Sequence, residues 1–268
     1  ISGERPDQSL GSQELFYTGS TLYIAATYDT SSNKVVVAYR GASNYGTAIV
    51  GTVSGTSISF GTPVVFESAT TDRIAITFDS NEAKVFISYA DGANVDYITA
   101  IIGTVSGTSI SFGSASVVQS VRSFGNSPTF DSNSNKVVLA YRDDTNSQGK
   151  AVVATVSGTS ISLGSVVTFN ASALNWVWSV FDSNANKVVI TYSDAVNGNK
   201  GTSIVGTVSG TSISFGSPVV FETGAAYDGG AGFDSTANKV VIAYKDNDDS
   251  STGKVVIGTV SGTSISFG

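Results

Sequence analysis

The chain has 268 residues, of which 41% are apolar and only 13% charged, enough apolar material for a substantial core. It contains no cysteine, histidine or methionine, which excludes disulfides and thiol chemistry and removes the commonest general base and transition-metal ligand. Its net charge of −7 repels phosphate backbones, so no nucleic-acid partner is expected, and no apolar run is long enough for membrane insertion.

Residues 1–8 match nothing else in the chain and read as a tail or linker; without an initiator methionine, Ile1 reads as a processed end or a fragment boundary. From residue 9 onward the sequence repeats. Gly-Thr-Val-Ser-Gly-Thr-Ser-Ile-Ser-Phe-Gly begins at Gly51, Gly103, Gly206 and Gly258, and a variant with Leu163 in place of Phe begins at Ala154. An aromatic-Asp pair recurs at Tyr28-Asp29, Phe78-Asp79, Phe130-Asp131, Phe181-Asp182 and Phe233-Asp234. A lysine opens an apolar run at Lys34, Lys84, Lys136, Lys187 and Lys239. The landmarks keep step at a period of roughly 50 residues, the signature of a repeat architecture, and there are five copies.

Within each copy the pattern predicts four strands. The first ends on the aromatic-Asp pair, as in Arg73–Asp79. An Asp/Asn-rich turn follows, because these side chains bond their own main chain and tolerate left-handed backbone. The second strand runs from the lysine to a tyrosine, as in Lys187–Tyr192. The third is Ala48–Val53 and its equivalents, closed by a Ser54-Gly55 hairpin turn. The fourth, Ser57–Phe66, is expected to bend at Gly61. Strand two decides the architecture. Val188, Ile190 and Tyr192 make one large apolar face, and Val189 and Thr191 make a second face that is smaller and poorly suited to water. A sheet wetted on one side would alternate apolar with charged residues. Such strands fit blades packed face to face, with small residues such as Gly51 and Ala154 letting neighbouring sheets approach. Ser9–Phe16 aligns with Ser59–Phe66, so the N-terminal piece could flank the last unit's strands. The expectation is an all-β fold, a single closed five-bladed β-propeller of four-stranded antiparallel blades over residues 9–268.

Positions that recur in all copies are expected to be structural: the five aspartates as turn caps and Tyr39, Tyr89, Tyr141, Tyr192 and Tyr244 as core. The positions that differ point to function. Entering strand one, the copies carry Tyr23, Arg73, Gly125, Trp176 and Asp228, and one position earlier Leu22, Asp72, Phe124, Asn175 and Tyr227. Trp176 and Trp178 lie two apart and share a strand face. Aromatic faces stack on sugar rings and polar groups bond hydroxyls. Tyr23, Asp72, Arg73, Phe124, Asn175, Trp176, Trp178, Tyr227 and Asp228 are therefore the candidate ligand-binding set, against the alternative that they plug a channel or fill a gap between blades. Asp72 and Asp228 are the one carboxylate pair that could serve a glycosidase, but no catalytic motif accompanies them and no enzyme is expected. The acidic loops around Asp143 and Asp246 match no calcium loop, and no cofactor or metal is expected.

The Ser-Gly-Thr-Ser-Ile-Ser-Phe-Gly stretch, together with Phe-Asp-Ser-x-x-Asn-Lys-Val-Val-Ile-x-Tyr, resembles repeats in tail-fibre and other virion surface proteins of marine bacteriophages, over residues 9–268. In size and copy number alone the chain is also similar to five-bladed lectin propellers of the tachylectin-2 type, with none of that family's motifs. The first resemblance implies a structural or receptor-binding role on a virion or other extracellular surface and transfers no site residues. The expected function is recognition of a glycan or cell-surface receptor, with a purely structural role in a virion or surface assembly as the alternative. Near-identical units can also exchange strands between molecules, which would favour a homo-oligomer.

Overall fold

The computed structural model describes Gly11 and residues 13–268; the expected tail at residues 1–8 lies outside the described residues. The chain is all-β. Five antiparallel units follow one another, and the second strands are Lys34–Arg40, Lys84–Asp91, Lys136–Asp143, Lys187–Asp194 and Lys239–Asp246. Each pairs on one side with strand one and on the other with strand three of its unit (Tyr45–Ser54, Tyr97–Ser106, Gln148–Ser157, Lys200–Ser209 and Thr252–Ser261).

The fourth strand differs from expectation. Ser57–Phe60 is a short hairpin arm on strand three, and the chain then breaks before a single long strand, Val64–Asp79. The first half of this long strand pairs with strand three of unit 1, and its second half pairs with strand two of unit 2. One strand therefore closes one unit and opens the next. Ser116–Asp131 and Val219–Asp234 repeat the arrangement, and between units 3 and 4 the same path is split into Val167–Asn170 and Leu174–Asp182. Gly61 lies at the break, where a Cβ would come within 1.9 Å of the Thr108 carbonyl oxygen of the next unit. Its role is close backbone approach between units, and its absence of a side chain is what permits it.

The recurring residues build the frame. Asp79 accepts hydrogen bonds from the amides of Asn81 (2.9 Å) and Glu82 (3.1 Å), and the other four aspartates cap their turns in the same way. Asn33, Asn135, Asn186 and Asn238 take the left-handed position that follows. Tyr89 is fully buried, and its hydroxyl donates to Glu67 at 3.2 Å; burial and the nearby Glu67 raise its pKa, so it remains a donor. Tyr141 bonds Gln119, and Tyr244 bonds Glu222 at 2.8 Å.

The core lies between units. The small face of unit 1 (Val36, Ala38, Ala48, Val50) packs on the large face of unit 2 (Val85, Ile87, Tyr89, Ile101). Phe86, Ala100 and Ile102 meet Val137, Leu139 and Tyr141 in the same way, and the pattern continues to unit 5. The glycine that opens the repeat has a different task from the one expected. A Cβ on Gly103 would lie 2.7 Å from Ile110 and 3.0 Å from Phe112 of its own hairpin. Gly103 is paired with Phe112, and in the unit where alanine replaces glycine, Ala154 is paired with Leu163. The two positions trade volume across one hairpin.

Among the described residues no strand pairing joins unit 5 to unit 1. Among the described residues, Phe16 and Tyr17 pack on Tyr39 at the large face of unit 1, where a preceding unit would lie. Ile24 is 55% exposed where its counterpart Ile74 is 7% exposed, and on the small face of unit 5 Ile257 is 41% exposed where Val50 is fully buried.

The hairpin pairing gives a test. Gly103→Ala is expected to lower unfolding free energy by about 1–3 kcal/mol through overpacking, and adding Phe112→Leu should restore most of it. Chemical denaturation of both variants checks this; a double variant no better than the single one would show that the two positions are uncoupled.

Candidate functional site

Strand one of each unit lies beside strand one of the next, so the entrances to these strands gather along one inner edge. Each entrance is irregular. The register with strand two slips between Leu22 and Ala25, Asp72 and Ala75, Asn175 and Val177, and Tyr227 and Gly230. Tyr23, Arg73 and Trp176 sit at these bulges with φ of 50°, 54° and 50°. Left-handed backbone is unfavourable for side chains of this kind, at about 1–2 kcal/mol each. Bulges of this type re-aim side chains, and these three converge.

A cavity of about 210 Å3 lies among Tyr23, Arg73, Phe124, Asn126, Trp176 and Trp178. Ile74 and Val177, both buried, also line it. The guanidinium of Arg73 lies 3.9 Å from the Phe124 ring centroid and donates to the Phe124 carbonyl oxygen at 2.6 Å. Arg142 approaches the same ring at 4.6 Å. Trp176 meets Phe124 edge-on at 6.3 Å and lies parallel to Trp178, with centroids 6.4 Å apart and planes 6° apart. Cation–π contacts of this geometry contribute about 0.5–2 kcal/mol each and fix the rings in place. Trp176 and Tyr23 keep about a third of their surface exposed, leaving aromatic area for a ligand.

Five of the nine expected residues therefore come together: Tyr23, Arg73, Phe124, Trp176 and Trp178. Asp72 and Asn175 do not line the cavity. Asp72 holds Arg40 of unit 1, and the side-chain Oδ1 of Asn175 accepts from Arg142 of unit 3 at 2.9 Å, so these positions clasp neighbouring units. Phe124, at the same place in the sequence, escapes this role because the bulge of unit 3 falls on Phe124 itself: Gly125 pairs with Arg142 and Ser123 with Asp143. Tyr227 lies under Lys245, 5.7 Å from its ammonium, and does not line the cavity. The side chain of Asp228 lies outside the described residues.

Sequence reasoning missed Asn126 and Arg142. Asn126 donates to the Arg73 carbonyl oxygen at 2.6 Å, tying two strands at the cavity floor. It stands where other copies have Ile24, Ile74 and Val177, a polar exception at an apolar position, and that was the available signal. Trp178 is an exception of the same kind, since it replaces Ala25, Ala75 and Ser127. Its indole reaches unit 5, where a Cβ on Gly229 would lie 3.5 Å away. Trp178 therefore fills space between units 4 and 5 as well as bounding the cavity.

No protein-family model matches the chain. No curated protein matches it either. Solved structures do match. A protein from Lactobacillus plantarum aligns with a TM-score of 0.60 at 10% identity, over 91% of this chain and 69% of that one. The Aleuria aurantia lectin, in complex with Fucα1-6GlcNAc, aligns at 0.55 and 11% identity, over 91% and 77%. A thermostable family-43 glycoside hydrolase aligns at 0.53 and 9% identity, over 94% of both. The fold is propeller-type. Identities this low extend the likeness to the fold alone.

The two tryptophans should separate in their effects. Trp178→Ala is expected to cost about 1–3 kcal/mol of stability by opening a void between units, and Trp176→Ala less than about 1 kcal/mol. Urea denaturation compares them; equal losses would make both residues structural.

Proposed function

We propose that the protein is a non-enzymatic recognition module that binds a glycan in the cavity formed by Tyr23, Arg73, Phe124 and Trp176. The observation that carries this reading is the set of three bulky residues in left-handed backbone, all aimed into one aromatic cavity. A framework selected for stability alone would place glycine at those bulges. Exposed aromatic faces stack against the C–H faces of a sugar ring, and the guanidinium of Arg73 supplies oriented donors.

Of the carboxylates considered for glycoside hydrolysis, Asp72 is engaged by Arg40, which favours binding over catalysis. The resemblance of the repeat to virion surface proteins is the basis for placing the module on a virion fibre or other extracellular appendage. In the same reading the five units close into a single ring. Gly11 lies against Thr56 as Gly61 lies against Thr108, and Phe16 packs on Tyr39 at 5.1 Å as Phe66 packs on Tyr89 at 5.3 Å. In this reading residues 13–17 take the place of the first half of a shared strand such as Val64–Asp79, and strand three of unit 5 is the partner with which they would pair.

The test is binding of labelled protein to a broad glycan array, with Trp176→Ala as the control. Specific binding that the folded variant loses by at least about tenfold is expected, since removing an aromatic on which a ligand ring stacks costs about 1–3 kcal/mol. A blank array from well-folded protein, or full binding by the variant, would overturn the reading and favour a purely structural role.

A further inference from the structure

Charge in the cavity narrows the ligand further, and this step rests on the glycan reading above. The described arginines are not alike. Arg40 is paired with Asp72, Arg122 with Asp96 at 3.2 Å and Arg142 with Asp144 at 3.2 Å. Arg73 has no carboxylate partner among the described residues. Its contacts are the Phe124 carbonyl oxygen, reached through one guanidinium nitrogen, and the Phe124 ring. A guanidinium carries five donors in a planar fork, so most of this group's hydrogen-bonding capacity is unused. In a chain with a net charge of −7, carboxylates are not scarce, yet none of the described cavity-lining side chains is acidic.

A cation with no carboxylate partner among the described residues, at the edge of an aromatic cavity, is costly to desolvate, and a ligand without charge would add no partner when it displaces water. An anion that presents two oxygens, a carboxylate or a sulfate, would pair with it bidentately, an arrangement for which arginine is better suited than lysine. Stacking on Phe124 and the bond to its carbonyl already hold the guanidinium plane, so little ordering is needed on binding. We propose that the cavity takes an anionic sugar, with Arg73 binding its carboxylate or sulfate group while Trp176 and Tyr23 pack against the ring.

The experiment prints neutral, uronate and 6-sulfate forms of the same hexose oligosaccharides on one array and compares the native protein with Arg73→Gln, Arg73→Lys and Trp176→Ala. The native protein should prefer at least one anionic form over the neutral form by about tenfold or more, as a charge-assisted hydrogen bond provides, and the uronate and sulfate arms identify which anion. Arg73→Gln should lose the preference while keeping weak binding to the neutral form. Arg73→Lys should keep part of it, and Trp176→Ala should weaken all forms. Equal binding of neutral and anionic forms, or a preference that survives in Arg73→Gln, would overturn the assignment and leave neutral-glycan recognition standing. Loss of binding to every form by the native protein would overturn the glycan reading itself.

Discussion

Everything in this molecule depends on one packing relation: the small face of each unit must be covered by the large face of the next. A four-stranded antiparallel unit with valine, isoleucine and tyrosine on one side and valine and alanine on the other has no face fit for water, so it cannot stand alone. Fully burying a single Val or Ile contributes about 1.5–3 kcal/mol, and the clusters between units 1 and 2 and between units 3 and 4 each bury seven such residues. The long strands shared between units, the glycines at the inter-unit breaks and the aspartate-capped turns all serve to bring the next face into place.

This relation also explains why the cavity is where it is. Because strand one belongs to the innermost edge of each unit, its entrance is set beside the same entrance of its neighbours. A residue changed in one copy therefore meets residues changed in the others. Repetition supplies a rigid frame at the remaining positions, and the bulges supply the departure from it. The left-handed backbone at Tyr23, Arg73 and Trp176 is unfavourable by itself, and the surrounding sheets over-determine it. That is the arrangement expected where local strain is retained for binding.

Much of this was legible in the sequence. Five copies and a two-sided apolar strand two were enough to define the unit and its packing, because period and side-chain size report burial directly. Comparing the copies with one another found Arg73, Trp176 and Phe124, since a substitution in an otherwise constant frame needs a cause. Bulge register was not legible. Asp72, Phe124 and Asn175 occupy the same place in the sequence, but a one-residue shift of the bulge in unit 3 turns Phe124 into the cavity, while Asp72 and Asn175 turn to neighbouring arginines. Strand continuity was hidden for a related reason: a long strand that leaves one sheet and enters the next has no break in pattern at the crossing, and Gly61 suggested a bend where the structure has a break.

Among the described residues the same relation leaves the small face of unit 5 exposed at Val255 and Ile257, while the large face of unit 1 is covered by Phe16 and Tyr17 rather than by a preceding unit; the proposed ring joins these two faces. The register of Ala48 with Val64, carried over to the ends, sets Val255 opposite Glu14. The chain has no cysteine of its own, so the variant Glu14→Cys with Val255→Cys gives a clean measurement. After mild oxidation at micromolar concentration, mass spectrometry and non-reducing electrophoresis should show an intramolecular disulfide in a monomer. Cross-linked dimers and higher species, or two free thiols in folded protein, would contradict ring closure and leave the small face of unit 5 to another partner.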